Sequence, residues 1–114
     1  MPTTEPLATD VRIVLTTAGS LDEARRLGRA VVEERLAACA TVIPAVESIY
    51  RWQGEIESAT ECLLLLKTGS SQLAALEARI LALHSYDTPE FLALPIDSVS
   101  AGYLAWMRAS LLQP

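Results

Sequence analysis

Residues 35–67 constrain the fold most, because two long β-prone runs there flank one short turn signal, Trp52-Gln53-Gly54-Glu55. Gly54 can adopt the positive φ angle that a tight turn or a bulge requires. The pattern predicts a long β-hairpin whose arms exceed the usual strand length of about 5–6 residues. Arms of this length overhang a small domain, so we expect another subunit to cover them. The apolar residues of the arms are Thr41, Val42, Ile43, Val46, Ile49 and Tyr50 before the turn, and Cys62, Leu63, Leu64, Leu65 and Leu66 after it.

The first arm of the hairpin is interrupted at Pro44-Ala45. Proline has no N–H to donate to a neighbouring strand, and within sheets it occurs mainly at edges and bulges. The sequence therefore predicts a bulge or a bend at this point.

Length and composition indicate one domain with an aliphatic core. Of 114 residues, 51% are hydrophobic but only 5% are aromatic, and 9 basic against 14 acidic residues give a net charge of −5. We interpret this acidity as a solubility feature, and the absence of a basic run argues against nucleic acid or an anionic membrane as a partner. The chain start lacks the features of a secretory signal. We expect a flexible tail over residues 1–10, a domain over residues 11–114 and a cytoplasmic location.

The two cysteines, Cys39 and Cys62, are predicted to be free thiols. With a turn at Gln53-Gly54 and unbroken pairing, they lie about six residues, or roughly 20 Å, apart along the strands. That separation is far beyond the reach of a disulfide. We interpret both as small, buried strand residues.

Before the hairpin, the chain has one strand and one helix. Residues 11–17 are rich in β-branched residues and predict the strand. Ser20 with Glu23 forms a capping-box pattern at the start of the helix, which we expect to end near Leu36. The apolar stripe of this helix comprises Ala24, Leu27, Gly28, Val31 and Val32.

After the hairpin, the Gly-Ser-Ser sequence at 69–71 predicts a strand end and a serine cap for a second helix. Residues 84–89 end that helix, residues 91–96 read as a short edge strand, and Ser98 or Ser100 caps a third helix. The stripes are Leu73, Leu76, Ile80 and Leu83 in the second helix, and Tyr103, Leu104, Met107 and Leu111 in the third.

The order β-α-β-β-α-β with a terminal helix predicts a ferredoxin-like α+β fold, in which both central helices cover one face of an antiparallel sheet. Residues 63–66 are all leucine, so the other face of that strand is apolar too. The terminal helix is too short to cover that face. We therefore expect symmetric self-association.

A series of short motifs runs through the chain in a fixed order. They are Leu36-Ala37-Ala38-Cys39-Ala40-Thr41, Ile43-Pro44, Ser48-Ile49-Tyr50-Arg51-Trp52-Gln53-Gly54-Glu55, Leu66-Lys67-Thr68, His84-Ser85-Tyr86-Asp87-Thr88-Pro89-Glu90 and Tyr103-Leu104-Ala105-Trp106. A chain with these motifs resembles the CutA family, the divalent-cation tolerance proteins. The resemblance implies a cytoplasmic homotrimer of ferredoxin-like subunits with a role in tolerance to divalent metals such as copper.

The same resemblance singles out His84 and Glu90 as metal ligands. Some bacterial members carry a cysteine where this chain has Thr16 and a second histidine where it has Leu83, and those positions have been assigned to copper. Copper prefers imidazole and thiolate ligands, so we expect only weak binding here and no obligatory cofactor. The family pattern also usually has proline at the position of Ser85. The alternative role of His84 is structural, as an imidazole at a helix C-terminus.

We place the candidate binding site in a cleft between subunits, formed by the loop 84–90 and by Glu61 and Lys67. These two residues are an even number of positions apart on one strand, so their side chains point to the same face. The alternative is a salt-bridged structural cluster, with aromatic side chains that only seal an interface. The aromatic residues assigned to the cleft are Tyr50, Trp52, Tyr86, Tyr103 and Trp106.

No catalytic residues are predicted. His84 and Asp87 are too close in sequence to support a nucleophile–base–acid triad, and the phosphate-binding glycine motifs are absent. The leading hypothesis is a non-enzymatic, trimeric protein of divalent-cation tolerance that binds divalent cations weakly. The alternative is a small-molecule-sensing or partner-binding signalling trimer with ligand clefts between subunits.

Overall fold

The secondary-structure elements occur in the predicted order in a computed structural model that describes residues 9–111. They are β1 (Val11–Ala18), α1 (Leu21–Glu33), β2 (Cys39–Trp52), β3 (Glu55–Gly69), α2 (Leu73–Leu83), β4 (Leu92–Pro95) and α3 (Ala101–Ser110). The strands form one antiparallel sheet in the order β2-β3-β1-β4. This topology confirms the ferredoxin-like α+β prediction.

The predicted tail, residues 1–10, lies outside the described residues except for Thr9 and Asp10. Thr9 donates a hydrogen bond from its hydroxyl to the carbonyl of Ile96, and the carbonyl of Asp10 accepts one from the amide of Ser70 at 2.8 Å. Within the described part of the chain, no helix is both long enough and apolar enough to span a bilayer.

The β2–β3 hairpin has arms of 14 and 15 residues, as expected from the sequence. Gly54 has a φ of 83°, which confirms the predicted turn, and Gln53 has a φ of 51°, which the sequence did not signal. Positive φ angles at both central residues are the pattern of a type I′ turn. The bulge predicted at Pro44-Ala45 is confirmed by a register shift there and by a φ of 61° at Ala45.

Helices α1 and α2 cover one face of the sheet and enclose the main core with it. Ser20 caps α1, accepting a hydrogen bond from the amide of Glu23 at 3.1 Å. A Cβ at Gly28 would lie 3.0 Å from the Cβ of Ala40, so glycine allows α1 to approach β2 closely. The core includes Val14, Leu64 and Leu66 from the strands and Leu27, Val31, Leu76 and Ile80 from the helices.

Two predictions about helix ends are wrong. Helix α1 ends at Glu33 rather than near Leu36, because Arg35 adopts a φ of 60° that no helix can contain. Helix α2 has Gln72 at its N-cap without a side-chain cap bond, not a serine of 69–71. The carbonyl of Gly69 accepts from the amide of Gln72 at 3.1 Å, so a backbone turn replaces the expected serine cap.

The other side of the sheet, which we call the open face, is not covered by a helix of residues 9–111 across most of its area. The register of β1, β3 and β4 brings alternate residues to this face. Leu64 and Leu66 are fully buried on the helix side, whereas Leu63 and Leu65 are only half-buried on the open face. Helix α3 covers one end, where Met107 and Leu111 pack with residues of β1 and the α1–β2 connection. The open face includes Ile13, Leu15, Ile43, Leu63, Leu65, Leu92 and Leu94.

Candidate functional site

His84 anchors the loop that follows α2. Its side chain is fully buried. Nε2 lies 2.6 Å from the carbonyl oxygen of Thr17, and Nδ1 accepts a hydrogen bond from the amide of Tyr86 at 3.1 Å. A ring that donates from one nitrogen and accepts at the other is the neutral, Nε2-protonated tautomer. While these bonds persist, His84 has no lone pair available for a metal ion.

The next residue of the loop, Ser85, is held by Glu23 in the first turn of α1. The amide of Ser85 donates to one carboxylate oxygen at 2.8 Å and its hydroxyl donates to the other at 2.9 Å. Burial raises the pKa of Glu23, but the two bonds from Ser85, the charge interaction with His84 and a backbone bond from Gly19 together hold it below the ordinary value. The sequence assigned Glu23 only to a capping box and therefore missed this contact.

Three oxygen-bearing side chains, Glu61, Tyr86 and Glu90, form what we call the acidic cluster. The hydroxyl of Tyr86 donates to a carboxylate oxygen of Glu61 at 2.7 Å. Although Glu90 is exposed as a residue, local burial of its carboxyl group and the negative charge of Glu61 raise its pKa. Burial and the bond to Glu61 likewise raise the pKa of Tyr86, which therefore remains a donor. Mutual repulsion between two accessible carboxylates favours a bound cation.

Glycine at position 19 leaves room for the ring of Tyr86, whose hydroxyl bonds to Glu61. A Cβ at Gly19 would lie 3.2 Å from the Tyr86 hydroxyl oxygen, tighter than most Cβ contacts. The β1–α1 turn, the loop after α2 and strand β3 therefore meet at this end of the sheet.

Lys67 lies toward the end of β3, six residues after Glu61, in a second group that we call the Lys67 cluster. Its Nζ is 4.0 Å from the Sγ of Cys39 and 5.9 Å from the ring centroid of Tyr103. The rings of Tyr103 and Trp106 are 5.3 Å apart, centroid to centroid. This cluster presents a cation framed by aromatic surface.

One chain does not bring all the predicted cleft residues together. Glu61 and Lys67 share the open face, as their parity predicted, but they lie about six residues, or ~20 Å, apart along β3. Tyr50 and Trp52 lie on the projecting hairpin, where they are 43% and 59% exposed, and Tyr50 is near enough to Tyr86 to contribute to its raised pKa. The Lys67 cluster can share a cleft with the acidic cluster only if another subunit joins them, so the cleft between subunits remains a prediction.

The available ligands fit a weakly held, oxygen-ligated cation. Among residues 9–111, no group of three or more His, Cys, Asp or Glu side chains is arranged to hold a metal ion. Thr16 is fully buried, and its hydroxyl has no hydrogen-bond partner among residues 9–111. Both cysteines are free thiols, and Cys39 lies beside Lys67. The acidic cluster offers carboxylate and phenol oxygens, which suit hard divalent cations better than copper.

Fold and site together define a small ferredoxin-like protein with a carboxylate cluster at one end of an uncovered apolar sheet face. The family model described as CutA1 divalent ion tolerance protein matches residues 12–110. The chain belongs to this family, which is described by ion tolerance rather than by an enzymatic activity.

Relatives of known name agree with this assignment. A divalent-cation tolerance protein CutA of Thermus thermophilus is 48% identical over 96 residues, covering 84% of this chain and 93% of the relative. A protein CutA of Arabidopsis thaliana, described as chloroplastic, is 40% identical over 98 residues, covering 86% of this chain but 54% of the longer relative. The crystal structure of CutA1 from Oryza sativa is 36% identical with a TM-score of 0.90, covering 94% of this chain and 98% of that chain.

Proposed function

We propose that the protein is a cytoplasmic, non-enzymatic homotrimer that serves divalent-cation tolerance, copper included, by binding such ions weakly at the acidic cluster. Family membership supports the physiological role. The observation that carries the binding site is the Glu61 carboxylate, which is held by the Tyr86 hydroxyl at 2.7 Å and whose charge adds to burial in raising the pKa of Glu90. A divalent cation between these carboxylates replaces the repulsion by attraction.

Weak binding follows from the small number of ligands. Glu61 and Glu90 supply carboxylate oxygens, whereas hard divalent cations usually take six or more oxygen ligands, many of them water in open sites. In this proposal Glu61 and Glu90 are the ligands, and His84 is a structural residue that holds the loop through Thr17 and Tyr86. Protons compete for the site as the pH falls through the raised pKa of Glu90, so cation affinity falls with the pH.

The trimer in this proposal covers apolar surface that a single chain leaves exposed. On the open face, Leu92 and Leu94 are 54% and 46% exposed, and on the hairpin Ile49 and Ile56 are 68% and 63% exposed. These residues lie toward opposite edges of the sheet, and this much exposed apolar surface is unusual on a monomer. A closed ring with head-to-tail contacts places one end of each open face beside the opposite end of its neighbour. The Lys67 cluster of one subunit then lies beside the acidic cluster of the next, which unites the predicted cleft.

Calorimetric titration of the metal-free protein with copper, zinc and manganese ions tests the site. We expect Glu90→Gln to weaken binding by roughly tenfold, equivalent to about 1.4 kcal/mol. The matched control is Glu77→Gln, which removes the same charge from an exposed position on α2. Equal binding by the parent and by Glu90→Gln contradicts the site, and unchanged metal tolerance of cells with that variant contradicts the role.

The second candidate is small-molecule binding, and one groove favours it. The groove has a volume of about 600 Å³ and runs between α1 and β2, with Arg25, Arg29 and Trp106 among its lining residues. This volume is within the range of small-ligand pockets. A melting-temperature increase with an anionic metabolite, absent in Trp106→Ala, supports this candidate over the first.

A further inference from the structure

The loop 84–90 is attached to α1 by two hydrogen bonds from one residue. Glu23 accepts from the amide of Ser85 at 2.8 Å and from its hydroxyl at 2.9 Å, across a sequence separation of 62 residues. The side chain of Glu23 is only 9% exposed. A buried carboxylate is costly unless hydrogen bonds satisfy it, so this arrangement resists displacement of Ser85.

Glu23 holds the loop while it also takes part in the start of α1, where its carboxylate has a backbone bond from Gly19. The hydroxyl of Ser20 accepts from the amide of Glu23 at 3.1 Å and so supplies the N-cap. Arg26 approaches the same carboxylate at 3.7 Å, but its side chain is 58% exposed and its contribution is correspondingly small. The Nδ1 of His84 also lies 3.7 Å from this carboxylate, but it accepts a hydrogen bond from the amide of Tyr86. The two bonds from Ser85 are shorter, at 2.8 and 2.9 Å, so Ser85 is the principal partner of the Glu23 carboxylate.

Ser85 lies directly between two residues that link the loop to different strands. Before it, His84 bonds to the carbonyl of Thr17 in β1. After it, Tyr86 bonds through its hydroxyl to Glu61 in β3 at 2.7 Å. Because consecutive Cα atoms are about 3.8 Å apart, a displacement of Ser85 moves the backbone of Tyr86 with it.

We propose that Glu23 is a positioning residue for the acidic cluster: through Ser85 it fixes the loop so that Tyr86 lies against Gly19 and Glu61. Glu23 does not contact the cation in this proposal. It determines the geometry in which Glu61 and Glu90 meet the ion. The part that concerns the cation rests on the proposed function, whereas the placement of Tyr86 does not.

The test compares Glu23→Ala, Glu23→Gln and Ser85→Ala with a matched control. Glu34→Gln removes the same charge from the C-cap of α1, where the Glu34 carboxylate accepts from Arg79 at 2.9 and 3.1 Å. The first measurement is the nuclear Overhauser contact between the Tyr86 ring and Gly19 in metal-free protein. The second is the affinity for manganese ion.

We expect Glu23→Ala to lose the Tyr86–Gly19 contact and to bind manganese ion roughly tenfold more weakly. Ser85→Ala retains the amide bond and is expected to have an intermediate effect, and Glu34→Gln to match the parent. Because Glu23 acts through Ser85, the double variant Glu23→Ala/Ser85→Ala should be no weaker than Glu23→Ala alone.

A folded Glu23→Ala protein that keeps the Tyr86–Gly19 contact overturns the inference. If Glu23→Ala fails to fold, the Tyr86–Gly19 contact is measured in Glu23→Gln instead. The glutamine side chain has one oxygen and can accept only one of the two bonds from Ser85, so this contact should weaken. A parent protein that binds no manganese ion contradicts the proposed function alone, because the ring contact still decides whether Glu23 positions the loop. Parent-like affinity in a variant that has lost the contact also contradicts the inference.

Discussion

The two faces of the sheet differ in how completely one chain buries their apolar side chains. On the helix side, Leu64 and Leu66 are fully buried against α1 and α2. On the open face, Leu63 and Leu65 of the same strand are half-buried, and Leu92 at the sheet edge is 54% exposed. The polar clusters lie at the two ends of this second face. The comparison shows that one chain buries the helix side of the sheet, whereas the proposed assembly and the proposed function depend on the face that one chain leaves uncovered.

The largest expected effects, on stability and on assembly, come from replacing a leucine by alanine on each face. Leu64→Ala removes a fully buried side chain and should lower the free energy of unfolding by about 3 kcal/mol. Leu65→Ala should chiefly weaken the trimer, seen as dissociation in sedimentation equilibrium at micromolar concentration. Equal losses of stability for both variants, with no change in sedimentation, would show that the open face is not an interface.

His84→Ala is expected to be the next most severe change. It removes a buried ring and leaves the carbonyl of Thr17 and the amide of Tyr86 without a partner, at a cost of roughly 2–4 kcal/mol. Tyr86→Phe removes only the solvent-accessible bond to Glu61 and should cost about 1 kcal/mol or less. Urea denaturation measures both. An unchanged unfolding midpoint for His84→Ala would contradict the structural role of the ring.

Two buried threonines lie on the helix side of the sheet, and replacing each by valine should change the stability in opposite directions. Thr16→Val removes an unpartnered hydroxyl and should stabilise the protein by about 1 kcal/mol. Thr68→Val removes a hydroxyl that donates to the carbonyl of Leu36 at 2.7 Å, and should destabilise it by about 1–2 kcal/mol. Thermal unfolding of both variants measures the difference. A destabilised Thr16→Val protein would indicate that this hydroxyl has a partner.

The smallest expected effects are on the pH dependence of stability, where Glu23 and Glu90 act in opposite directions. The lowered pKa of Glu23 gives stability that is present above its ordinary pKa of 4.5 and is lost as the pH falls through the lowered value. The raised pKa of Glu90 gives stability that is present below 4.5 and is lost as the pH rises through the raised value. Glu23→Gln should therefore reduce the loss of stability in acid, and Glu90→Gln should stabilise the protein near neutral pH. Denaturation at several pH values checks both signs.

Sequence patterns predicted the features that depend on local conformation and on periodicity. Glycine at position 54 predicted the position of the hairpin turn, and proline at position 44 predicted the position of the bulge. Alternation along β3 predicted that Glu61 and Lys67 share one face. These features could be predicted because each depends on a few consecutive residues.

Contacts between distant segments were not predictable in the same way. The bond between Glu23 and Ser85 joins residues 62 apart, and a local pattern assigned Glu23 to a helix cap instead. The two partners of His84 are backbone groups, which leave no signal in side-chain types. The separation of Lys67 from the acidic cluster follows from strand geometry, whereas the sequence suggested one cleft for both.

Paramagnetic broadening of backbone amide resonances by manganese ion tests whether the acidic cluster is the cation site. The ion is titrated into the isotopically labelled parent at low stoichiometry, because nuclei nearest the ion broaden first. The proposal predicts early broadening at Glu61, Tyr86 and Glu90, with Glu77 unaffected and no early broadening in Glu90→Gln. Uniform broadening of exposed acidic residues, or broadening that persists unchanged in Glu90→Gln, would contradict it.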